Sequence, residues 1–400
     1  GRSAMIANGG GPIVARDVAS AREVEIHLDG SRIARVRPVE PDPDRPASTR
    51  HVAPAFWDIQ TNGRWGISFS DPNLTPAQVA EIVQAQAEMG TARLCPTLIT
   101  APFETMRHGV ATIAAAVEES AEVARMVLGI HLEGPSISEI DGYRGAHPMS
   151  AVRDPDWDEF QRLQDAANDL ITLITLAPER PGAIGFIERA VAAGITIAIG
   201  HTAADAATIA AAVSAGATLS THLGNGIAST LPRHPNPIWT QAADDRLFAS
   251  LIADGHHLDR SVLKTLIRAK RPRSCVIVSD ASPLAGLPPG RYGDWAVDPS
   301  GKIVVAGTPY LAGSNRDISA AINEVMAADP SLSLAEILAM TSANAAIAIG
   351  CMIPKIETGW PANMILFEHD NNGFRLVSTI VDGRLVPRGA ALRASESVIP

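Results

Sequence analysis

Apolar positions along this chain gather into short unbroken runs, at residues 56–60, 93–98, 126–133, 170–176, 195–201, 217–222, 247–254 and 274–280. β-Branched and aliphatic residues dominate them with little alternation, which is the composition of strands buried on both faces. Between the runs, residues 76–89, 103–123, 181–193, 203–215 and 259–269 carry apolar side chains at helical spacing. Eight strand-helix repeats predict an α/β fold with a (β/α)8 TIM-type barrel. Thr202 followed three residues later by Asp205 resembles a capping box and places a helix start directly after the 195–201 run.

Outside these repeats the pattern changes to alternation. Residues 24–38 alternate around an Asp29-Gly30 turn, and residues 363–386 do so around 371–373 and Asp382-Gly383. Neither end has enough surface for its own core, so one small β-sandwich built from both termini is expected. The division is then 1–53 and 354–400 for the sandwich and 54–353 for the barrel, with helical segments at 316–327 and 334–340 closing the barrel. Three long loops rich in Gly and Pro, at 134–150, 223–237 and 281–313, follow strands and should form a pocket. The last contains a hairpin signal around 299–301.

Composition narrows the class. The 400 residues are 46% hydrophobic, enough to bury a large core. A net charge of −10 argues against nucleic-acid and anionic-membrane partners, so an anionic substrate must find a local basic pocket. Cys95, Cys275 and Cys351 are odd in number and widely spaced, which implies core packing rather than disulfides or a metal knuckle. Residues 190–219 are the most apolar stretch, but Gly194, Gly200, His201 and Asp205 interrupt it, against a membrane span. No basic region precedes an apolar segment near the start, so a cytoplasmic enzyme is the expectation.

Four of the runs end on chemistry: Glu133, His201, His222 and Asp280. A lone histidine in such a place is more often a hydrogen-bonded barrel residue, but three donors in register at strand ends reverse that reading. One carboxylate and two imidazoles form the open ligand set of a catalytic divalent ion, with a fourth position for a water whose pKa the ion lowers to about 7. Asp280 beside such a water can take its proton and hand it to a leaving amine. Against this stands a plain helix N-cap role for Asp280. His108, His234 and His256 are read as outside the chemistry.

In this order, HLEGP at 131–135, GH at 200–201, THL at 221–223, ADGxH at 253–257 and SDA at 279–281 resemble the N-acetylglucosamine-6-phosphate deacetylases of the amidohydrolase superfamily. The resemblance spans about residues 54–350. It implies that Glu133, His201 and His222 hold one divalent ion, Zn²⁺ first with Fe²⁺ and Co²⁺ also fitting, and that Asp280 is the catalytic aspartate. It further implies that His147 contacts the acetamido carbonyl, and that Arg233 and His257 hold the sugar phosphate. Asn225, Gly226, Leu311, Ala312 and Gly313 are implied as substrate contacts. The functional unit implied is a homodimer in which one phosphate-binding side chain comes from the neighbouring subunit. Many amidohydrolases have a His-x-His pair on the first strand, whereas this chain has Gln60-Thr61-Asn62, which predicts one ion rather than two.

Two departures fall in the expected pocket. Gly224-Asn225-Gly226-Ile227 replaces the family's usual aromatic-Asn-Ala-Met, and Pro309-Tyr310 is an addition before Leu311. The leading expectation is therefore hydrolysis of N-acetylglucosamine 6-phosphate to glucosamine 6-phosphate and acetate. The alternatives are deacylation of another N-acyl amino sugar or other N-acyl compound and, from a different class, a ligand-binding protein that kept the scaffold.

Overall fold

The computed structural model describes residues 11–40 and 48–387; the sandwich ends at 1–10 and 388–400, and residues 41–47, lie outside them. Parallel strands neighbour one another in chain order: Phe56–Thr61, Thr91–Ile99, Ile130–Glu133, Ile171–Leu176, Thr196–Ile199, Leu219–Ser220, Phe248–Leu251 and Cys275–Ile277. The last meets the first through a parallel bridge between Thr61 and Ala281. There Asn62 N–H donates to Ala281 O at 2.8 Å and Asp280 N–H to Gln60 O at 2.9 Å. Asp58 clasps the same seam, accepting Ser279 Oγ at 2.5 Å and Ser279 N–H at 3.1 Å. The predicted barrel is thus present and closed.

Its packing follows the two apolar periods. Inside, Trp57, Ile59, Cys95, Leu173, Ala198, Leu219, Ile252, Val276 and Val278 fill the cylinder, with Ala345 and Ala346 packed against them. Outside, helix Pro76–Glu88 shows how the crossovers dock: Val79, Ile82, Val83 and Ala87 are buried on one face. The two valines and the isoleucine contribute about 1.5–3 kcal/mol each on burial, the alanine less. Thr75 caps this helix by accepting Gln78 N–H while Gln78 reaches back to Thr75 N–H, and Pro76 occupies the first turn.

Several expected boundaries shift. Helix 103–123 divides into Phe103–Glu119 and Ala121–Met126, because Ser120 takes extended backbone and caps the second piece by accepting Val123 N–H. The helix expected directly after His201 begins at Ala206, with Asp205 as its cap through Thr208 N–H at 2.8 Å. Thr202 instead donates its hydroxyl to Glu179. Cys95 and Cys275 are buried as expected, but Cys351 is exposed.

Strands from both ends form one seven-stranded sheet in the order Arg384–Val386, Gly373–Val381, Met364–Asp370, Arg50–Pro54, Ile13–Asp17, Glu23–Asp29, Arg32–Pro38. The sheet folds over on itself: Ala362 N–H donates to Ser31 O at 2.8 Å, and Ile33 N–H to Trp360 O at 2.8 Å. Between its layers lie Ile13, Ala15, Ile26, Val52, Met364, Leu366 and Ile380. The hairpin signal at 299–301 is one turn of a three-stranded antiparallel sheet, Gly290–Tyr292, Trp295–Val297 and Ile303–Val305, with a small core of its own. No described helix is long and apolar enough to cross a membrane.

Candidate active site

Glu133 is the last residue of its strand, whereas His201, His222 and Asp280 lie two or three residues beyond strands that stop at Ile199, Ser220 and Ile277. All three carry left-handed backbone, with φ of 48°, 33° and 44°. Such a conformation costs a non-glycine residue about 1–3 kcal/mol and persists only where its surroundings hold it. Here Ser138 N–H donates to His201 O at 2.9 Å, His222 N–H donates to Ser250 Oγ at 2.7 Å, and Asp280 N–H is fixed on Gln60 O. This turn ends each strand early and turns its side chain into the pocket that Glu133 also lines.

Three donor atoms then nearly touch. Glu133 Oε1 lies 2.8 Å from His222 Nε2 and 3.2 Å from His201 Nε2, and the two Nε2 atoms are 3.1 Å apart. His201 Nδ1 lies 2.9 Å from the Tyr143 carbonyl, which can only accept, so Nδ1 carries a proton and the neutral ring turns its Nε2 lone pair toward Glu133. Lone pairs facing each other at this range repel unless a cation sits between them. A tetrahedral ion with bonds of about 2.0–2.1 Å has edges of about 3.3–3.4 Å, close to this triangle. Glu133, His201 and His222 therefore fit a divalent ion.

His147 also comes close, and Glu133, His147 and His201 have donor atoms within 4.8 Å of one another. Its hydrogen bonds assign it a different part. Thr100 N–H donates to His147 Nδ1 at 3.3 Å, with the Thr100 hydroxyl at 2.8 Å from the same atom. Nδ1 is thus the acceptor and Nε2–H points onward, 3.8 Å from Glu133 Oε2, as a donor rather than a ligand. Burial, and then the neighbouring His201, push its pKa down to about 3, so the ring stays neutral.

Asp280 and Glu133 are buried carboxylates in unlike settings. Burial, followed by the charge of Glu133, pushes Asp280 up to about 7. Burial also opposes ionisation of Glu133, but contact with the His201 and His222 rings holds it well below the usual range. The first-strand amides grip both: Gln60 Nε2 donates to Glu133 Oε1 at 3.0 Å and Asn62 Nδ2 to Asp280 Oδ1 at 2.7 Å. Besides leaving no imidazole pair for a second ion, these amides thus hold the two carboxylates in place, a task that Gln-x-Asn spacing alone does not signal. Asn62 Oδ1 is buried without a partner.

The pocket above these groups, about 210 Å³, suits a sugar-sized molecule rather than a polymer. Asn225, Gly226, His257, Leu311, Ala312 and Gly313 all line it, together with Trp295 and Tyr310. Gly226, at φ 60°, lies so close to the His201 ring that a Cβ would stand 2.7 Å from Nδ1. This explains the altered loop after His222 locally: only a bare backbone fits there. His257 Nδ1 bonds Asp254 Oδ2 at 2.7 Å, and Asp254 also accepts the N–H groups of His256 and His257. Burial opposes it, but the Asp254 hydrogen bond and charge raise the pKa of His257, which favours a cation in the pocket. Arg233 is exposed and does not line this chain's own pocket. Tyr310 OH donates to Asp141 Oδ2 at 3.1 Å, linking two of the long loops.

Residues 51–386 match the amidohydrolase family. The human N-acetylglucosamine-6-phosphate deacetylase is 32% identical over 365 residues, covering 88% of this chain and 87% of the human one. The N-acetylgalactosamine-6-phosphate deacetylase of Escherichia coli O157:H7 is 30% identical over 278 residues, 69% of this chain and 72% of that one. Among solved structures, N-acetyl-D-glucosamine-6-phosphate deacetylase from Mycobacterium smegmatis superposes with a TM-score of 0.84 at 28% identity, covering 94% of this chain and 100% of that one. A mutant of that protein, solved in complex with N-acetyl-D-glucosamine-6-phosphate, gives 0.82 at 27% identity over the same shares. Fold, buried Glu-His-His site and relatives agree: the chain belongs to the amidohydrolase family, on the branch of the N-acetylglucosamine-6-phosphate deacetylases.

Proposed function

We propose that this chain removes the acetyl group from N-acetylglucosamine 6-phosphate, giving glucosamine 6-phosphate and acetate. The observation that carries the reading is the pair of opposite tautomers beside Glu133: His201 offers a lone pair and His147 offers an N–H. A divalent ion held by Glu133, His201 and His222, Zn²⁺ in this proposal with Fe²⁺ and Co²⁺ taking the same donors, supplies Lewis acidity that activates water and polarises a carbonyl.

The chain's own groups do the rest. His147 Nε2–H donates to the acetamido oxygen, where negative charge grows as water adds to the carbonyl carbon. Asp280 takes the water's proton and delivers it to the nitrogen as the C–N bond breaks, so acetate and amine leave with atoms balanced. Poised near 7, its carboxyl can do both. His257, made more basic by Asp254, meets the phosphate, and Arg233 reaches the pocket of a neighbouring subunit in a homodimer, which accounts for its exposed position here. Asn225, Gly226 and the 311–313 segment shape the sugar site. A phosphorylated substrate, too charged to cross a bilayer, supports a cytoplasmic setting.

The Escherichia coli relative's name supports a second reading, in which another N-acetyl amino sugar phosphate is preferred. The loop at 224–227 and Tyr310, both lining the pocket, are where such a preference would reside. Acetate release from N-acetyl sugars of both configurations, with and without 6-phosphate, tests the proposal alongside metal analysis of the purified protein. Turnover of the phosphorylated glucosamine derivative with one ion per chain is expected. Indifference to the phosphate, or no acetate from any compound, refutes it.

A further inference from the structure

Asp58, which clasps the barrel seam, is a fully buried carboxylate to which the chemistry above gives no part. It lies on the first strand, whose side chains at 58, 60 and 62 reach across to Ser279, Glu133 and Asp280. The two amides hold their carboxylates directly, whereas Asp58 holds the residue before Asp280. Its Oδ2 accepts the Ser279 hydroxyl and its Oδ1 accepts Ser279 N–H at 3.1 Å, with Gln60 N–H at 3.4 Å from the same Oδ1. The Ser279 oxygen in turn accepts Ala281 N–H at 3.1 Å, so one hydroxyl ties together both neighbours of Asp280. Backbone ladders join the other barrel strands, but the last and first meet through a single bridge, Thr61 with Ala281. Asp280 turns into left-handed backbone there, and Ser279 N–H, which a continued ladder would pair with a carbonyl, goes to Asp58 instead. A buried carboxylate is costly where an apolar side chain could pack, and among the described residues its side-chain bonds go only to Ser279 and Gln60.

We propose that Asp58 is a positioning residue for proton transfer: through Ser279 it fixes the strained turn that aims the Asp280 carboxyl at the water and the scissile nitrogen. The inference rests on the reading of Asp280 as the proton carrier and deepens it. Asn62 holds Oδ1 of Asp280 at 2.7 Å, so Oδ2 is the oxygen that exchanges the proton. Its aim depends on a backbone with φ of 44°, a conformation that persists only while its surroundings hold it. Asp280 N–H on Gln60 O and Ser314 N–H on Asp280 O fix the residue itself, and the Asp58–Ser279 pair fixes the residues on either side. The pair therefore bears on the chemical step. Sugar contacts lie on other loops, at His257, Asn225, Gly226 and the 311–313 segment, so loosening the turn leaves substrate binding in place.

The test splits kcat from KM on the holoenzyme, with the N-acetyl amino sugar phosphate as substrate. Ser279→Ala should lower kcat about 10- to 100-fold and leave KM within about twofold, the signature of a misplaced catalytic group. Asp58→Asn still accepts Ser279 N–H but offers the hydroxyl a donor, so its loss should be smaller. The double variant should be no worse than Ser279→Ala, because both changes cut one link. In an Asp280→Asn background neither change should lower the residual turnover by more than about twofold, whereas a merely structural role would take the full factor again. Metal content and melting temperature check that the variants fold, and Asp58→Asn carries the comparison if Ser279→Ala does not. A raised KM at unchanged kcat, a full further loss in the Asp280→Asn background, or no loss at all would each overturn the proposal while leaving the deacetylase reading intact. A wild type that releases no acetate from any N-acetyl amino sugar phosphate sinks that reading and this inference with it, which separates the two failures.

Discussion

Replacing Asp280 by Asn should abolish most turnover yet stabilise the metal-free protein, and the stabilisation should grow with pH. Burial and the nearby Glu133 raise the Asp280 carboxyl from 3.8 to about 7. Between those values the native state binds a proton that the unfolded chain has released, so wild-type stability falls as pH rises through that window. Integrating this linkage, the ionisable carboxyl costs the native state about 2 kcal/mol at pH 5 and about 4 kcal/mol at pH 8. Asn removes the titration and still offers an oxygen to Asn62 Nδ2. Urea melts of chelator-treated wild type and Asp280→Asn at the two pH values isolate the term, because packing changes that do not titrate cancel in the difference. The gap between the two proteins should widen by about 2–3 kcal/mol from pH 5 to pH 8. A gap that stays constant with pH would show that Asp280 does not titrate as argued. With metal restored, the same variant should lose 10²–10⁴-fold in kcat, roughly the worth of a general acid-base.

Two further outcomes follow from the proposed roles. His222→Ala removes one of three donors around a site that needs all of them, so metal analysis after dialysis should fall from about one ion per chain to well below it; retention of the ion would remove His222 from the ligand set. Arg233→Ala should raise KM by about tenfold or more for the phosphorylated substrate and leave the unphosphorylated one alone, given about 1.5–3 kcal/mol for a hydrogen bond to a charged group; equal effects on both would exclude a phosphate contact.

Much of this arrangement is visible in the chain because barrel chemistry sits where apolar runs end. Glu133, His201, His222 and Asp280 each close such a run, and that local signal needs no knowledge of contacts. At their carboxyl ends the apolar runs extend up to three residues past the strands. Hydropathy continues through His201, His222 and Asp280, but their positive φ ends the ladder before they are reached. What the sequence left hidden was relational. His147 is a donor because of Thr100, 47 residues away, and His201 is a lone-pair donor because of Tyr143, 58 residues away. Gln60 and Asn62 gain their partners only once the barrel closes, 73 and 218 residues along the chain. Gly226 reads as an ordinary loop glycine until the imidazole of His201 is seen against it.

The two carboxylates show why the closed barrel, rather than the motif alone, assigns the roles. Glu133 and Asp280 are both buried and each raises the cost of ionising the other, so they cannot behave alike. His201 and His222 flank Glu133 and keep it ionised, which suits a group that must remain an anion around a cation. Asp280 receives a single amide bond from Asn62 and faces Glu133's charge, so it alone is poised to exchange a proton near neutrality. Environments that drive two acids apart separate a ligand from a proton carrier. Exchanging their surroundings would exchange their parts. Placing a histidine against Asp280 would turn it toward a permanent anion, and removing His201 or His222 would return Glu133 toward a protonated acid unable to hold the ion.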